Sequence, residues 1–108
     1  MDEFNEALEQ FRAISEEIII DHFARNEFTF AVPGVVIGKG RKYIKLWNTE
    51  TRNGETVINR IHAFVEVSTG DIFKPANTKA PAKHPRGNIY NDGGRASMDA
   101  SGHIFYLR

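Results

Sequence analysis

Apolar residues among the first 25 positions recur at the spacing of one helix face, and acidic or polar residues fill the other face. Asp2 suits the N-cap, and Asn26 can adopt the left-handed conformation that ends a helix. The pattern therefore predicts an amphipathic helix over residues 3–25. The apolar run at residues 18–20 faces more than one side, so we expect this end to be buried by more than a single sheet face. The predicted inward stripe consists of Phe4, Ala7, Leu8, Phe11, Ile14 or Ser15, Ile18 and Phe23.

From residue 28 onward, apolar positions alternate with polar ones, which is the period of a β-strand. The longest strand signal is expected to bend near Asn59, and Pro33-Gly34 is expected to interrupt the first strand. Strands are predicted at residues 28–32 with 35–37, and at 43–47, 57–67, 72–74 and 104–107. Between them, turns or polar loops are predicted at residues 38–41, 48–55 and 68–71.

Residues 75–102 carry much Pro, Gly, Ala, Asn and Lys, and only Ile89-Tyr90 resembles a strand. A segment of this length is usually functional or disordered. One helix followed by five strand signals predicts a mainly β fold with one N-terminal α-helix, built as a small, strongly bent five-stranded antiparallel barrel. We expect a single domain over residues 1–108, with the helix at about 3–25 and the barrel at about 28–108.

The composition excludes several classes of protein. The 108 residues include no cysteine, so disulfides, thiolate metal sites and cysteine nucleophiles are ruled out. The acidic start is unlike a secretory signal, and the longest apolar runs are far shorter than the roughly 20 residues of a membrane span. We therefore expect a cytoplasmic protein with no membrane partner.

The charges are separated along the chain although the net charge is zero. Residues 1–27 hold eight acidic and two basic residues, whereas residues 28–108 hold six acidic and twelve basic ones. This asymmetry is typical of a domain with one surface for a polyanion, and it also suits head-to-tail self-association. The alternative is a solvated acidic helix face without a partner.

Basic residues cluster around the first predicted turn and in the long loop, with aromatic residues close by. Cations and Gly-rich turns suit phosphate contacts, and aromatic rings stack on unpaired bases. In the alternative interpretation these cations only make the surface soluble, and Trp47 and Phe73 lie in the core. The predicted nucleic-acid-binding residues are Lys39, Arg41, Lys42, Tyr43, Arg52, Lys74, Lys79, Lys83, Arg86 and Tyr90.

Residues 62–89 carry a resemblance to a known family. The run Thr-Gly-Asp-Ile-Phe-Lys-Pro-Ala at 69–76, followed by Lys-Ala-Pro-Ala-Lys at 79–83, resembles small uncharacterised proteins of marine cyanophages and ocean metagenomes. The resemblance implies an Sm-like (LSm/Hfq-like) fold whose copies pair edge to edge into a ring, in the cytoplasm of an infected bacterium. The two usual Sm motifs, an Asp-x-apolar-Met-Asn loop and an apolar-Arg-Gly turn between matching strands, are not found here. The Arg86-Gly87 pair lies inside the long loop instead.

These features predict a ring-shaped homo-oligomer that binds RNA or single-stranded DNA and acts in nucleic-acid processing. The alternative is a structural or host-takeover protein that binds a protein partner through the acidic helix or a ring face. The four histidines are widely separated, although His62 and His103 could meet by strand pairing. Because no catalytic or phosphate-cradling motif is found, we expect no enzymatic activity, no metal and no cofactor.

Overall fold

The structure, a computed structural model, describes residues 2–25 and 31–105. The five strands follow one another in the sheet in chain order, and all neighbours are antiparallel. The predicted class, mainly β with one N-terminal helix, is confirmed, and the sheet curls into a half-barrel. The elements are α1 (Asp2–Arg25), β1 (Val32–Ile37), β2 (Tyr43–Arg52), β3 (Glu55–Glu66), β4 (Asp71–Phe73), β5 (Gly87–Asn88) and the 3-10 segment Asp92–Ser97.

The apolar stripe predicted for α1 faces the sheet. Phe4, Leu8 and Phe11 are buried there with side chains from the first four strands, from Ile89 and from the C-terminal segment. This core supplies most of the favourable free energy of folding, since burial of apolar surface is the dominant stabilising term. In the described part of the chain, no helix is long and apolar enough to cross a membrane.

The end of α1 is covered by a second element, as its apolar run predicted. Ile18 and Ile19 pack against the core, and Ile19 also lies against Gly102. Gly102 has a φ of 86°, and a Cβ there would collide with the Ile19 side chain, so the close approach needs glycine. Ile20 differs from its neighbours because it is 42% exposed.

The prediction of a polar loop at residues 48–55 is wrong, because β2 and β3 pair through this segment as one long hairpin. Only Asn53 and Gly54 form the turn, with φ values of 50° and 80° that fit the type I′ geometry of tight hairpins. The hairpin end is largely exposed on both sides. It therefore needs no apolar alternation, and the sequence resembles a loop.

β3 contains the bend that was predicted near Asn59. The pairing with β2 shifts register between Leu46 and Trp47 and again between Asn48 and Thr49. The two shifts leave His62 and Asn59 without a partner residue on β2. Extra residues of this kind are β-bulges, which bend a strand and redirect side chains.

Pro33-Gly34 does not interrupt the first strand, because β1 runs through both residues. Along an edge strand, the backbone N–H and C=O groups of one residue point toward the neighbouring strand, and those of the next residue point away from it. Val35 points its groups away from β2, toward α1. Pro33 shares that direction, so its missing N–H removes no bond from the sheet. Residues 28–30 of the predicted strand lie outside the described residues.

Side chains of α1 occupy the outer backbone groups of Val35. The Val35 N–H donates to Glu16 Oε2 at 3.0 Å, and Arg12 Nη1 donates to the Val35 carbonyl at 3.1 Å. Arg12 and Glu16 also form an ion pair at 3.1 Å. An unpaired strand edge attracts other strands, so this contact protects β1 at its centre.

The fifth strand is β5 rather than the predicted 104–107 segment. Ile104 forms only an isolated bridge with Met98, and residues 106 and 107 lie outside the described residues. The long loop is also more ordered than its composition predicts. Ala82 N–H donates to the Lys74 carbonyl at 2.7 Å, and Pro75 pairs with Pro81 in an antiparallel bridge. Residues 74–82 thus extend β4 as a small hairpin.

We expect Glu16→Ala to lower the free energy of unfolding by about 1–3 kcal/mol, because it leaves the buried Val35 N–H without its acceptor. Urea denaturation measures this change. Glu17→Ala is the matched control, since Glu17 is exposed and its loss should change stability by less than about 0.5 kcal/mol. Equal urea midpoints for the two variants would show that the Val35 contact does not stabilise the fold.

Candidate nucleic-acid interface

Aromatic residues from three strands share the outer face of the sheet, opposite α1. Tyr43 and Trp47 lie on β2, Phe64 on β3 and Phe73 on β4. The Tyr43 ring meets Phe73 edge-on at 5.6 Å and Phe64 edge-on at 6.2 Å between centroids. Phe64 and Phe73 are buried, whereas Tyr43 and Trp47 are half-buried. Two rings at this face therefore keep part of their surface in contact with solvent.

Lysine ammonium groups lie over these rings. Lys45 Nζ is 6.0 Å from the Trp47 ring centroid and 5.9 Å from that of Phe64, and Lys42 Nζ is 5.6 Å from Tyr43. Cations at this distance are attracted by the electron-rich faces of the rings. The outer face consequently offers positive charge and aromatic surface side by side.

The adjoining β1–β2 turn carries the predicted basic cluster. Lys39, Arg41 and Lys42 are exposed, and none of them forms an ion pair within the described residues. The turn is held where the Gly38 N–H donates to the Lys45 carbonyl at 2.7 Å. Three cations without a carboxylate partner thus lie next to the aromatic face.

The cations predicted in the long loop have different surroundings. Lys79 and Lys83 are exposed, and the Lys79 N–H donates to Asn77 Oδ1 at 2.8 Å in the loop tip. Lys74 is half-buried, and its Nζ donates to the Ile104 carbonyl at 3.0 Å. Arg86 Nη1 donates to the carbonyl oxygens of Lys83 and His84 at 3.1 and 2.7 Å. Arg86 therefore helps to shape the loop, and Lys79 and Lys83 remain the accessible cations.

Among the described residues, neither Arg52 nor Tyr90 belongs to the aromatic cluster of the outer face. Arg52 is at the far end of β2, where it pairs with Glu50 at 3.2 Å. Tyr90 is 46% exposed, and its ring covers Gly70 at the β3–β4 turn. The structure thus brings Lys42 and Tyr43 together with the start of the long loop through Phe73, but it separates Arg52 from them.

Lys45 and Trp47 also belong to this face, although neither was among the predicted nucleic-acid-binding residues. Tyr43, Lys45 and Trp47 are spaced two apart in a strand, so they lie on one side of the sheet. That spacing was the available signal. Trp47 was left out of the predicted set because core packing is the commoner role of a lone aromatic residue in a strand.

A polar cleft lies on another part of the molecule, between the last turns of α1, the bulged middle of the sheet and the C-terminal loop. Its volume is about 240 Å³. One of the two register shifts between β2 and β3, at Asn48 and Thr49, lies at its floor, and bulges often direct side chains into sites. The lining residues are Ile19, His22, Phe23, Pro33, Gly34, Asn48, Thr49, Glu50, Asn59, Arg60, Ser101, Gly102 and His103.

A chain of hydrogen bonds runs along one wall of the polar cleft. Arg60 Nη2 lies 3.1 Å from His103 Nε2, and His103 Nδ1 lies 2.6 Å from Ser101 Oγ, which donates to Asp99 Oδ1 at 2.7 Å. Arginine has only donors, so His103 Nε2 accepts and its Nδ1 carries the proton. The contacts therefore fix one neutral tautomer of His103 and orient the Arg60 guanidinium.

Asp99 anchors this chain of bonds. Burial pushes the pKa of Asp99 up, but hydrogen bonds from the Ser101 hydroxyl and from the backbone N–H groups of His103 and Ser101 outweigh it, so the pKa lies below its ordinary value. The carboxylate thus stays ionised and keeps accepting from the loop. Among the described residues, no three His, Asp or Glu side chains lie close enough together to hold a metal ion.

His62 is buried just behind the cleft wall. Its Nε2 lies 3.0 Å from Ser15 Oγ, and its ring stacks on Phe11 at 5.8 Å. Burial, reinforced by the nearby charge of the Arg60 guanidinium, lowers the pKa of His62 to about 4. His103 lies outside the strands, so the two histidines do not meet by strand pairing, and the direct partner of His103 is Arg60.

No sequence signal pointed to Arg60 and His103, because they are 43 residues apart and neither belongs to a recognisable motif. Asn59 was noticed only as the position of a bend. Asn48 and Thr49, which belong to the segment predicted as a polar loop, both line the polar cleft.

We expect the stability of the protein to fall between pH 6.5 and 4, since only the unfolded chain protonates His62 in that window. Above pH 6.5 His62 is neutral in both states, and below its folded pKa it is charged in both. The loss over the window should be roughly 3 kcal/mol, measured by urea denaturation at several pH values.

His62→Gln should flatten that pH dependence, because glutamine has no proton to bind. His84→Gln is the control, since His84 is exposed and should leave the slope as it is. The pKa values of Glu9 and Asp99 lie below their ordinary values, so protonation of these two carboxylates lowers the stability further at lower pH. An unchanged slope in His62→Gln would disprove the role given to His62.

A family model described as a family of unknown function, DUF7717, matches residues 4–107. The match extends over α1, all five strands and the C-terminal loop, so it includes both the basic aromatic face and the polar cleft. Neither the curated proteins nor the solved structures contain a match to the chain.

Proposed function

The chain belongs to the DUF7717 family of unknown function, and we propose that its outer sheet face binds single-stranded RNA or DNA. One observation carries the proposal. Lys42 and Lys45 lie over half-exposed aromatic rings, next to the unpaired cations of the β1–β2 turn. Nonspecific single-strand binders combine these same two elements, a basic groove and rings on which bases stack.

Each element has a separate role in the proposed complex. Lys39, Arg41 and Lys42 contact phosphates and release counterions, which provides most of the affinity. Tyr43 and Trp47 offer ring surface to the bases, which favours single strands because the bases of a duplex are already stacked. Lys79 and Lys83 extend the positive surface from the loop that begins beside Phe73.

The charge distribution of the fold favours one orientation of the strand. The acidic helix packs on the inner side of the sheet, away from the aromatic face. A polyanion is therefore attracted to the outer face and repelled by the helix, which raises the rate of productive encounters.

The Sm-like ring is part of the proposal, and it has a candidate contact surface. The edges of the sheet are β1 and β5, but the Val35 edge is occupied by α1 and Gly87 of β5 packs against Ser97. Copies would instead meet through the exposed apolar residues near the β2–β3 hairpin, where Val32, Val57 and Ile58 are 61%, 60% and 62% exposed. The resemblance to cyanophage proteins would locate this activity in an infected bacterium.

We expect binding of a labelled single strand to weaken steeply with salt. With the three phosphate contacts of the β1–β2 turn, the affinity should drop roughly 20-fold between about 50 and 200 mM salt. Fluorescence anisotropy with single-stranded RNA, single-stranded DNA and duplex of equal length measures it. A salt-independent affinity, or equal binding of duplex, would contradict the proposed roles of the lysines and the rings.

The same assay with variants tests the location of the interface. Arg41→Glu/Lys42→Glu should weaken single-strand binding by about tenfold or more, since it removes two phosphate contacts and adds repulsion. Arg25→Glu/Arg95→Glu is the matched control, because it makes the same charge change at exposed positions away from the outer face. Equal losses in the two variants would show only a net-charge effect.

A second candidate function is binding of a protein partner through the exposed face of α1. Ile20 is 42% exposed there between Glu16, Glu17 and Asp21, and Ala13 and Ala24 continue the surface. Such a face suits a partner with a basic rim and an apolar centre.

Copurification distinguishes the two candidates. A nucleic-acid binder purified at low salt should carry absorbance at 260 nm that nuclease and high salt remove, whereas a protein-binding module should not. Protein free of nucleic acid at low salt, with no affinity for added strands, would favour the helix face.

A further inference from the structure

We propose that the polar cleft binds a nucleoside monophosphate, either as a free nucleotide or as the phosphorylated end of a strand. The cleft combines a cationic wall, two side-chain amides and an apolar wall in about 240 Å³. It shares no residue with the outer face, so this proposal does not depend on single-strand binding.

The cationic wall is Arg60 with its neutral partner His103. Within the described residues, no carboxylate lies at ion-pair distance from Arg60, and its bond partner is the Nε2 of His103. A guanidinium has five N–H donors, so one bond to an imidazole leaves a fork that fits a phosphate. Ser101 and Asp99 hold the imidazole, and the fork is therefore oriented before the ligand arrives.

The acid at the floor of the cleft is compensated. Glu50 receives hydrogen bonds from Asn59 Nδ2 at 3.0 Å and from Arg52 Nη2 at 3.2 Å. Its charge is thus matched within the protein, and it does not cancel that of Arg60. The site as a whole consequently favours an anion.

The rest of the lining fits a nucleoside rather than a bare ion. Ile19, Phe23 and Pro33 form an apolar wall against which a base or ribose can pack. Asn48 and Asn59 place amides at the floor, and asparagine amides match the donor and acceptor edges of bases.

The full chain, labelled with ¹⁵N, would be titrated with AMP, CMP, GMP and UMP, and separately with adenosine and with inorganic phosphate. We expect at least one monophosphate to shift the amide signals of Gly34, Ser101 and Gly102. Adenosine and phosphate should each bind about tenfold more weakly, because each lacks part of the contacts. The proposal would be overturned if inorganic phosphate bound as tightly as all four monophosphates, or if the amide signals shifted only in other regions of the protein.

Arg60→Gln should weaken monophosphate binding by about tenfold or more, the effect of losing a charge-assisted hydrogen bond. Arg95→Gln is the control and should leave it unchanged, because Arg95 is exposed and lines neither the cleft nor the outer face. Both positions are exposed, so the variants should fold, and thermal unfolding verifies this. An Arg60→Gln protein that binds monophosphates as the wild type does would refute the site.

Two oligonucleotides that differ only in a 5′-phosphate separate the two sources of the ligand. If the protein prefers the phosphorylated strand and Arg60→Gln loses this preference, the ligand is a strand end. If both strands bind equally and only AMP shifts the amide signals of the cleft, the ligand is the free nucleotide. If single strands fail to bind while a monophosphate does, the proposed outer-face function falls and the cleft stands. If single strands bind while no monophosphate does, the cleft proposal falls and the outer-face function stands.

Discussion

The contact between α1 and the edge of β1 is the constraint on which the rest of the structure depends. A curled, open sheet exposes an apolar inner face and an unpaired edge, and α1 covers both. Its stripe around Phe11 fills the inner face, while Arg12 and Glu16 occupy the backbone groups of Val35. Because both contacts fix the same helix, its position along the sheet is set in two directions at once.

That position determines where the two candidate sites lie. With the inner face occupied by an acidic helix, the aromatic residues of the outer face are left beside the basic turn. The last turns of α1 meet the C-terminal loop at Gly102, and the polar cleft lies between these two elements and the bulged middle of the sheet. His62 lies between the core and the cleft, where burial keeps it neutral and connects the stability of the fold to pH.

The two sites differ in how their side chains are held. The outer face relies on strand alternation, which places Tyr43, Lys45 and Trp47 on one side without further support. The polar cleft relies on a bulged strand and on a loop closed by Asp99, and its Arg60 fork is oriented by three successive hydrogen bonds. A surface of the first kind tolerates varied strands, whereas a preorganised fork suits one small ligand.

The sequence by itself determined α1, the antiparallel class of the sheet and the basic turn, because helical and strand periods are local properties. It failed where no apolar alternation marks a strand, as in the β2–β3 hairpin, and where β5 replaces the expected C-terminal strand. The existence of the polar cleft and the contact between its residues were decided only by the tertiary structure. Arg60 and His103 meet because bulges shift the register of β3 and a glycine lets the C-terminal loop approach α1, and neither pairing nor approach is encoded in local spacing.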